Sequence, residues 1–359
     1  MDIPPAINLT LVINTTPRPS PCATEIQMFQ RNSYVFRSNV AVNVSLEIAT
    51  LVCSVWVFAL LRKRFFFSKS FTFLLYASLI VANLHQWNYG YIQLWSLARA
   101  LIYYDQPCFI MFTEFECFRW YTYSIFSRLL LVFMSCALTA DNFLSLVAPR
   151  LNGYTSGIVL LTLTILASYG LCASMTADGP NYNIQSNCYQ RLNRDTNELK
   201  TQINMYLIAV SICCGLNAGL WIAKWWLASF RKNYDLNRRS NQKEAVNTAG
   251  ATSVIVMAQM VCSVAYTVSV TYLIDHGKDF DPKYLSVYVL WCYTYTLSAF
   301  FLPVGILVFT KVILSRRRKQ VKTMTEENVN KIKVTDDHFS KLDREWEKAY
   351  NAQITPVEN

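Results

Sequence analysis

The sequence predicts an all-α protein, a bundle of seven helices threaded through a lipid bilayer. Three observations predict it: the composition, a set of long apolar runs, and the sorting of basic residues among the connections between those runs. Of 359 residues, 53% are hydrophobic and only 16% are charged, whereas a soluble domain carries roughly 25% charged residues. Such a chain has too few charges to coat its surface for water, so lipid is the solvent that suits it. Length alone would allow two soluble domains; the apolar runs exclude them.

A membrane-crossing helix needs about 20 mostly apolar residues, because the hydrocarbon layer is about 30 Å thick. Seven segments meet that need: 39–61, 71–97, 118–146, 155–176, 201–227, 249–274 and 283–310. The second and seventh are the least apolar and gain their assignment from the company of the other five. The chain then divides into an outer N-terminus, 1–38, a membrane domain, 39–310, and a cytosolic tail, 311–359.

Orientation follows from Lys and Arg near the helix ends. Arg62, Lys63, Arg64 and Lys69 fill the first connection. Arg231, Lys232, Arg238, Arg239 and Lys243 fill the fifth, and Lys311, Arg316, Arg317, Arg318, Lys319 and Lys322 follow the seventh span. The opposite side is balanced or acidic, with Arg99 against Asp105, Glu114 and Glu116. The N-terminus is therefore expected outside and the C-terminus inside. The net charge of +10 is a topology signal, and nucleic-acid binding is not needed to explain it. Residues 1–38 lack the apolar run of a secretory signal, so the first span is expected to direct insertion. Asn8 and Asn14 begin Asn-x-Ser/Thr sequons on the outer side and are candidate glycosylation sites.

Four of the eleven cysteines fall in outer segments: Cys22, Cys108, Cys117 and Cys188. An even count in an oxidising space points to two disulfides. Four cysteines allow three pairings, and the sequence does not choose among them. We favour Cys117 with Cys188, tying the third span to the second outer loop, and Cys22 with Cys108. The seven cysteines within spans read as small apolar packing residues.

Polar groups inside a bilayer are costly and usually face the bundle interior. Asn83, Gln86, Gly90 and Gln93 recur at helical spacing in the second span, and Tyr121, Ser124, Arg128 and Ser135 in the third. Gln259, Cys262 and Tyr266 do so in the sixth, and Tyr284, Tyr288, Trp291 and Tyr295 in the seventh. From these stripes we expect an aromatic-lined cavity open to the outside that binds a small molecule, with Gln86, Gln93, Tyr121, Ser124, Arg128, Tyr266, Tyr288, Trp291 and Tyr295 as its candidate lining. The plainer alternative is that these residues hold helices together or anchor them at the interface. Arg128 lies about 16 Å into the third span, counted from Cys117 at 1.5 Å per residue. A guanidinium there binds an anionic ligand group, pairs with a carboxylate such as Glu47, or snorkels outward. His85 reads as a hydrogen-bonded packing residue. Pro303 removes a backbone hydrogen bond from the seventh span and is expected to kink it.

No enzyme constellation is present. The three His residues, His85, His276 and His338, form no metal or nucleophile motif. Asp141 has neither a His nor a second carboxylate near it in sequence. Lys283 and Lys311 sit at the two ends of the seventh span, which argues against a retinal Schiff base. No metal or cofactor is expected. The tail opens as a basic amphipathic stretch suited to the anionic inner leaflet and then becomes charged and poor in apolar residues, as disordered segments are.

Pro21-Cys22-Ala23-Thr24-Glu25, Ala82-Asn83-Leu84-His85-Gln86, Asp105-Gln106-Pro107-Cys108 and Glu116-Cys117, in this order and spacing, resemble the nematode serpentine receptors of class alpha. The likeness runs from about residue 20 to 320; classes beta and alpha-beta are similar too. The resemblance implies a G-protein-coupled-receptor-like bundle in sensory neurons that detects a chemical cue and acts through a heterotrimeric G protein. One departure matters. Rhodopsin-like receptors place an acidic residue, an Arg and an aromatic at the inner end of the third span; here the stretch reads Asp141-Asn142-Phe143, and Leu302-Pro303 stands in the seventh span in place of Asn-Pro. These positions, with Pro303, are the candidate signalling residues. Rival readings are a ligand-gated channel, whose N-terminus would be cytosolic, and a transporter, which would show paired internal repeats with broken helices.

Overall fold

A lipid solvent leaves each backbone N–H and C=O to be satisfied within its own segment, so an apolar run crosses as a helix. The computed structural model describes residues 22–63, 67–147, 153–177, 179–180, 184–185, 188, 196–230, 236–277, 279–281, 285, 288 and 291–354. A short α1 (Glu25–Asn32) leads, closed at its N-terminus by a capping box between Thr24 and Gln27. Then come α2 (Tyr34–Lys63), α3 (Lys69–Ile102), α4 (Glu114–Val147), α5 (Tyr154–Met175), α6 (Thr196–Phe230), α7 (Leu236–His276) and α8 (Tyr295–Ile354). Two short strands, β1 (Phe112–Thr113) and β2 (Ile184–Gln185), pair antiparallel.

Of the long helices, α2 and α4 to α8 contain stretches long and apolar enough to cross a membrane. α3, at 34 residues, is as long but more polar. Its polarity is tolerable because its neighbours enclose it: Ser78, His85, Gln86, Asn88, Gln93 and Ser96 are all buried. It packs on α2, α4 and α5, while α4 packs on α3, α5, α6 and α7. The central place of α4 shows in its burial: 67% of its membrane stretch is enclosed, against 22% for α2 and for α5. The outer faces carry the lipid-facing residues, among them Leu51, Val55 and Trp56 on α2 and Ile158, Val159 and Leu166 on α5.

Hydroxyls inside the spans turn back on their own helices. Thr50, Ser78, Thr139, Thr164 and Ser168 each donate to the carbonyl four residues earlier. Amides instead tie helix to helix. Asn83 Nδ2 donates to Ser54 Oγ on α2 at 2.8 Å. Gln86 Nε2 reaches both Thr50 Oγ1 on α2 and the Thr296 carbonyl on α8, and Ser135 Oγ on α4 donates to Gln259 Oε1 on α7.

Three features differ from the sequence expectation. The inner connection expected over 228–248 is mostly helical, since α6 runs to Phe230 and α7 begins at Leu236; no Gly or Pro interrupts residues 221–249. The seventh span is not one helix from 283: Cys292 to Thr294 is non-helical and α8 begins at Tyr295. Thr294 Oγ1 anchors the interruption by donating to the Cys262 carbonyl on α7 at 2.6 Å. Pro303 lies inside α8, beyond that break.

The chain divides into two compact units, Met1–Gly305 and Ile306–Asn359. The second corrects the expectation of a largely disordered tail, because α8 continues through Ile354. Residues 306–355 contain neither Gly nor Pro, and Lys322 and Glu326 form an exposed pair four residues apart, 3.8 Å between charged atoms. Such pairs and the many Lys, Glu and Arg residues favour helix in water.

Gln86→Leu removes two buried ties and is expected to lower stability in detergent by about 1–2 kcal/mol, the range of intramembrane hydrogen bonds. Ser45→Ala, which deletes only an exposed back-bond to Ala41, should change it by less than about 0.5 kcal/mol. Thermal unfolding of both variants in the same micelle measures the difference.

Candidate functional site

The middle of the bundle is organised by one charge. Arg128 projects from α4 among the hydroxyls of Tyr206 on α6, Tyr266 on α7, Tyr293 in the break before α8 and Tyr295 at its start. Its guanidinium carbon stands 5.8 Å from the centre of the Tyr295 ring, within cation–π range. Its Nε is enclosed without a hydrogen-bond partner among the described residues. The tyrosines brace one another: Tyr266 meets Tyr293 and Tyr295 edge-on, and Tyr89 of α3 stacks on Tyr293 with centroids 4.5 Å apart. His85 closes the α3 side, with Nδ1 2.9 Å from Ser127 Oγ and Nε2 3.3 Å from Tyr293 OH. Arg128, Tyr266 and Tyr295, singled out in the sequence, thus belong to one cluster built from five segments, and Ser124 is buried one turn before Arg128 on α4. The carboxylate considered as partner for Arg128 is placed otherwise: Glu47 lies over Gly90, where any Cβ would meet it.

The remaining sequence candidates scatter. Gln86 joins α2 to α8 as described above. Gln93 Nε2 donates to Tyr89 OH at 2.9 Å, which places it at the edge of the cluster. Tyr121 packs with Ile125, Leu129, Cys172, Met175 and Tyr206 between α4, α5 and α6. Tyr288 and Trp291 are exposed, at 45% and 43%, and Tyr288 lies edge-on to Phe280. The helical interruption explains these two. A stripe extrapolated through 292–294 keeps the wrong phase, and Tyr293, not Trp291, turns toward Arg128.

One end of the bundle is capped covalently. Cys22 is bonded to Cys108 and Cys117 to Cys188. The first bond ties the residue before α1 to the connection after α3, where Ala23 N–H also donates to the Pro107 carbonyl at 2.8 Å. The second fastens the start of α4 beside the β1–β2 ribbon, with Ile92, Phe112, Trp95 and Trp120 packed around it. Arg99 pairs with Glu116 at 3.2 Å and donates to the Phe109 carbonyl at 2.7 Å. Arg31 and Arg99 both lie over the Phe112 ring. Asn8 and Asn14 lie outside the described residues.

Toward the other end of α4 a second polar cluster is buried. Asp141 Oδ1 accepts from Ser70 Oγ of α3, which in turn accepts from Ser156 of α5. Lys224 of α6, 4% exposed, donates to the Asn142 carbonyl at 2.9 Å, to Asn142 Oδ1 and to Ser145 Oγ, and its charge faces Asp141. Asn142 Nδ2 donates to Asn217 Oδ1 at 3.1 Å, and Asn217 Nδ2 reaches Thr139 Oγ1. Ser253 of α7 donates to the Asn217 carbonyl. Five helices therefore meet here. Phe143 is exposed and takes no part. The cation missing after Asp141 in sequence arrives from α6.

Sequence reasoning missed Tyr89, Tyr206, Tyr293, Lys224 and Asn217, and it took His85 for packing. His85 and Tyr89, four apart on α3, marked a second polar face. A lysine and an asparagine seven apart, within an otherwise apolar α6 stretch, were the signal for the other cluster.

Residues 18–346 match the protein family described as "Serpentine type 7TM GPCR chemoreceptor Sra". The Caenorhabditis elegans serpentine receptor class alpha-32 is 28% identical, over 83% of this chain and 88% of its own length. Serpentine receptor class alpha-33 of the same species is 26% identical over 89% and 96%, and class alpha-10 of Caenorhabditis briggsae is 26% identical over 90% and 97%.

Lys224→Met removes three hydrogen bonds, to the Asn142 carbonyl, Asn142 Oδ1 and Ser145 Oγ, and the cation whose charge acts on Asp141; leaving such buried acceptors unpaired costs about 1–3 kcal/mol each. Lys224→Met is expected to lower the detergent melting temperature more than Asp141→Asn, and the double variant should recover part of the loss. Non-additivity above about 0.5 kcal/mol in that cycle is the measurement.

Proposed function

The chain belongs to the Sra family of serpentine seven-transmembrane chemoreceptors, and on that premise we propose that it sits in the plasma membrane of a sensory neuron, N-terminus outside, and reports an external small molecule to a heterotrimeric G protein. It is a multi-pass membrane receptor, and its family is one of receptors and not of enzymes. The observation that carries the binding part of the reading is the Arg128 cluster. A buried cation with tyrosines from three further segments around it is poised to respond to one ligand through several helices at once. The ligand set is Ser124, Arg128, Tyr266 and Tyr295, joined by Tyr293 and His85, with Gln93 and Tyr121 at its margin.

A ligand that binds one arrangement of the bundle better than another shifts their populations. The buried cluster around Asp141, Asn142 and Lys224 is the element we assign to that switch, because five helices share it and a basic group holds its centre. Basic residues on the cytosolic side, flanking 62–70 and 228–248, then offer a surface to the G protein. Pro303 leaves the carbonyl of Ala299 without its usual helical donor and is the proposed flexure in α8. The two disulfides hold the outer rim while the interior adjusts.

A calcium or G-protein readout in cells displaying the chain, challenged with odorants and water-soluble cues, tests this function. Tyr293→Ala is expected to raise the half-maximal concentration of an active cue about tenfold, a loss of about 1.4 kcal/mol. Trp291→Ala should leave it within about twofold; the reverse ranking would remove the cluster from the binding site. For topology, the mature chain is expected to gain mobility on glycosidase treatment, and Asn8→Gln with Asn14→Gln should abolish that shift. An untreated, unmodified chain with a cytosolic N-terminal tag would instead favour the channel reading.

A further inference from the structure

Resting on that reading of the site, we propose that the cue is a monoanion, a small carboxylic acid with an apolar or aromatic body. The charge count leads there. Arg128 carries one full positive charge, and the groups acting on it are four tyrosines, all neutral at physiological pH. Phenol rings and hydroxyls soften a cation but do not neutralise it, and an uncompensated charge in a bilayer is costly. Glu47, the acidic residue considered from the sequence, lies against Gly90 of α3 and is not among the groups acting on Arg128. His85 is engaged by Ser127 and Tyr293 and adds no negative charge. Among the described residues the site is thus one negative charge short.

The form of the missing group follows from its neighbours. A guanidinium presents a planar fork that matches a carboxylate, and Arg128 Nε is an enclosed donor with no acceptor among the described residues. With Tyr206 OH turned to Met175 and Tyr293 OH to His85, the Tyr266 and Tyr295 hydroxyls supply further donors to the same anion. One carboxylate balances one guanidinium, whereas a phosphate dianion would leave a net negative charge inside the bundle. The wall of aromatic carbon made by Tyr293, Tyr266 and Tyr295, with Tyr89 stacked behind Tyr293, suits an apolar or aromatic body in place of a polar, sugar-like one.

The experiment uses octanoate, benzoate and phenylacetate, each paired with its primary amide, and phenyl phosphate as the dianionic match. All are applied to cells with the receptor confirmed at the surface, alongside a broad odorant mixture. Acids are expected to activate, amides to be at least about thirtyfold weaker, and Arg128→Gln to weaken the acids by a similar factor, in line with loss of one partner of a buried charge pair. Arg128→Lys should retain part of the response, which shows that charge and not folding was lost. An amide or phenyl phosphate as potent as its acid overturns the proposal, as does an acid response unchanged in Arg128→Gln. Activation by the mixture but by none of the acids also overturns it and leaves the receptor function standing. Silence toward every stimulus, with the receptor displayed, counts against the function itself.

Discussion

Hydrocarbon offers no hydrogen bonds, and that single constraint organises this molecule. Every polar atom carried into the bilayer must find its partner in the protein. In this chain many hydroxyls find theirs on their own helix, while several amides and Lys224 find theirs on other helices. Asn83 leans on Ser54, Gln86 on Thr50 and the Thr296 carbonyl, Ser135 on Gln259, and Lys224 on Asn142. Each contact is worth about 1 kcal/mol. Their larger effect is to fix which helices are neighbours and in what rotation, since a lipid-facing Leu or Ile is indifferent to both.

α4 gathers the polar layers. Arg128, Ser135 and Asn142 are spaced by seven residues, two turns, so they share one face at intervals of about 10 Å. Arg128 meets the tyrosine shell, Ser135 meets α7 through Gln259, and Asn142 meets α6 through Asn217 and Lys224. A small rotation of α4 disturbs all three contacts together. A ligand that alters the setting of Arg128 therefore has a mechanical path to the inner end of the bundle without any long-range wire.

The membrane class, the number of spans and the outward exposure of the apolar faces were legible in composition and run length, because solvent chooses them and solvent acts on averages. The polar stripes were legible as stripes, but their targets were not. Gln86 read as cavity lining and, like Asn83 and Gly90 of the same stripe, meets a neighbouring helix, since periodicity gives a face and not a neighbour. Tyr293 escaped because the periodic reading ran through a break that no Pro or Gly announces; a side-chain tie from Thr294 to α7 fixes it. Lys224 escaped because the buried cation was sought on the same helix as Asp141, and tertiary structure delivered it from another. The tail read as disordered from its low apolar content, yet its helix formers and freedom from Gly and Pro decided its backbone.

The polarity of α3 also bears on how the protein is made. A segment bearing Asn83, His85, Gln86, Asn88 and Gln93 gains little by leaving the translocon alone for lipid. Its amides meet Thr50 and Ser54 of α2, the segment synthesised just before it. Biogenesis is then served best by release of the two as a hairpin, the earlier helix lending acceptors to the later. A receptor whose α2 lacked Thr50 and Ser54 would leave α3 stalled at the channel, exposed to quality control, however intact the remaining spans.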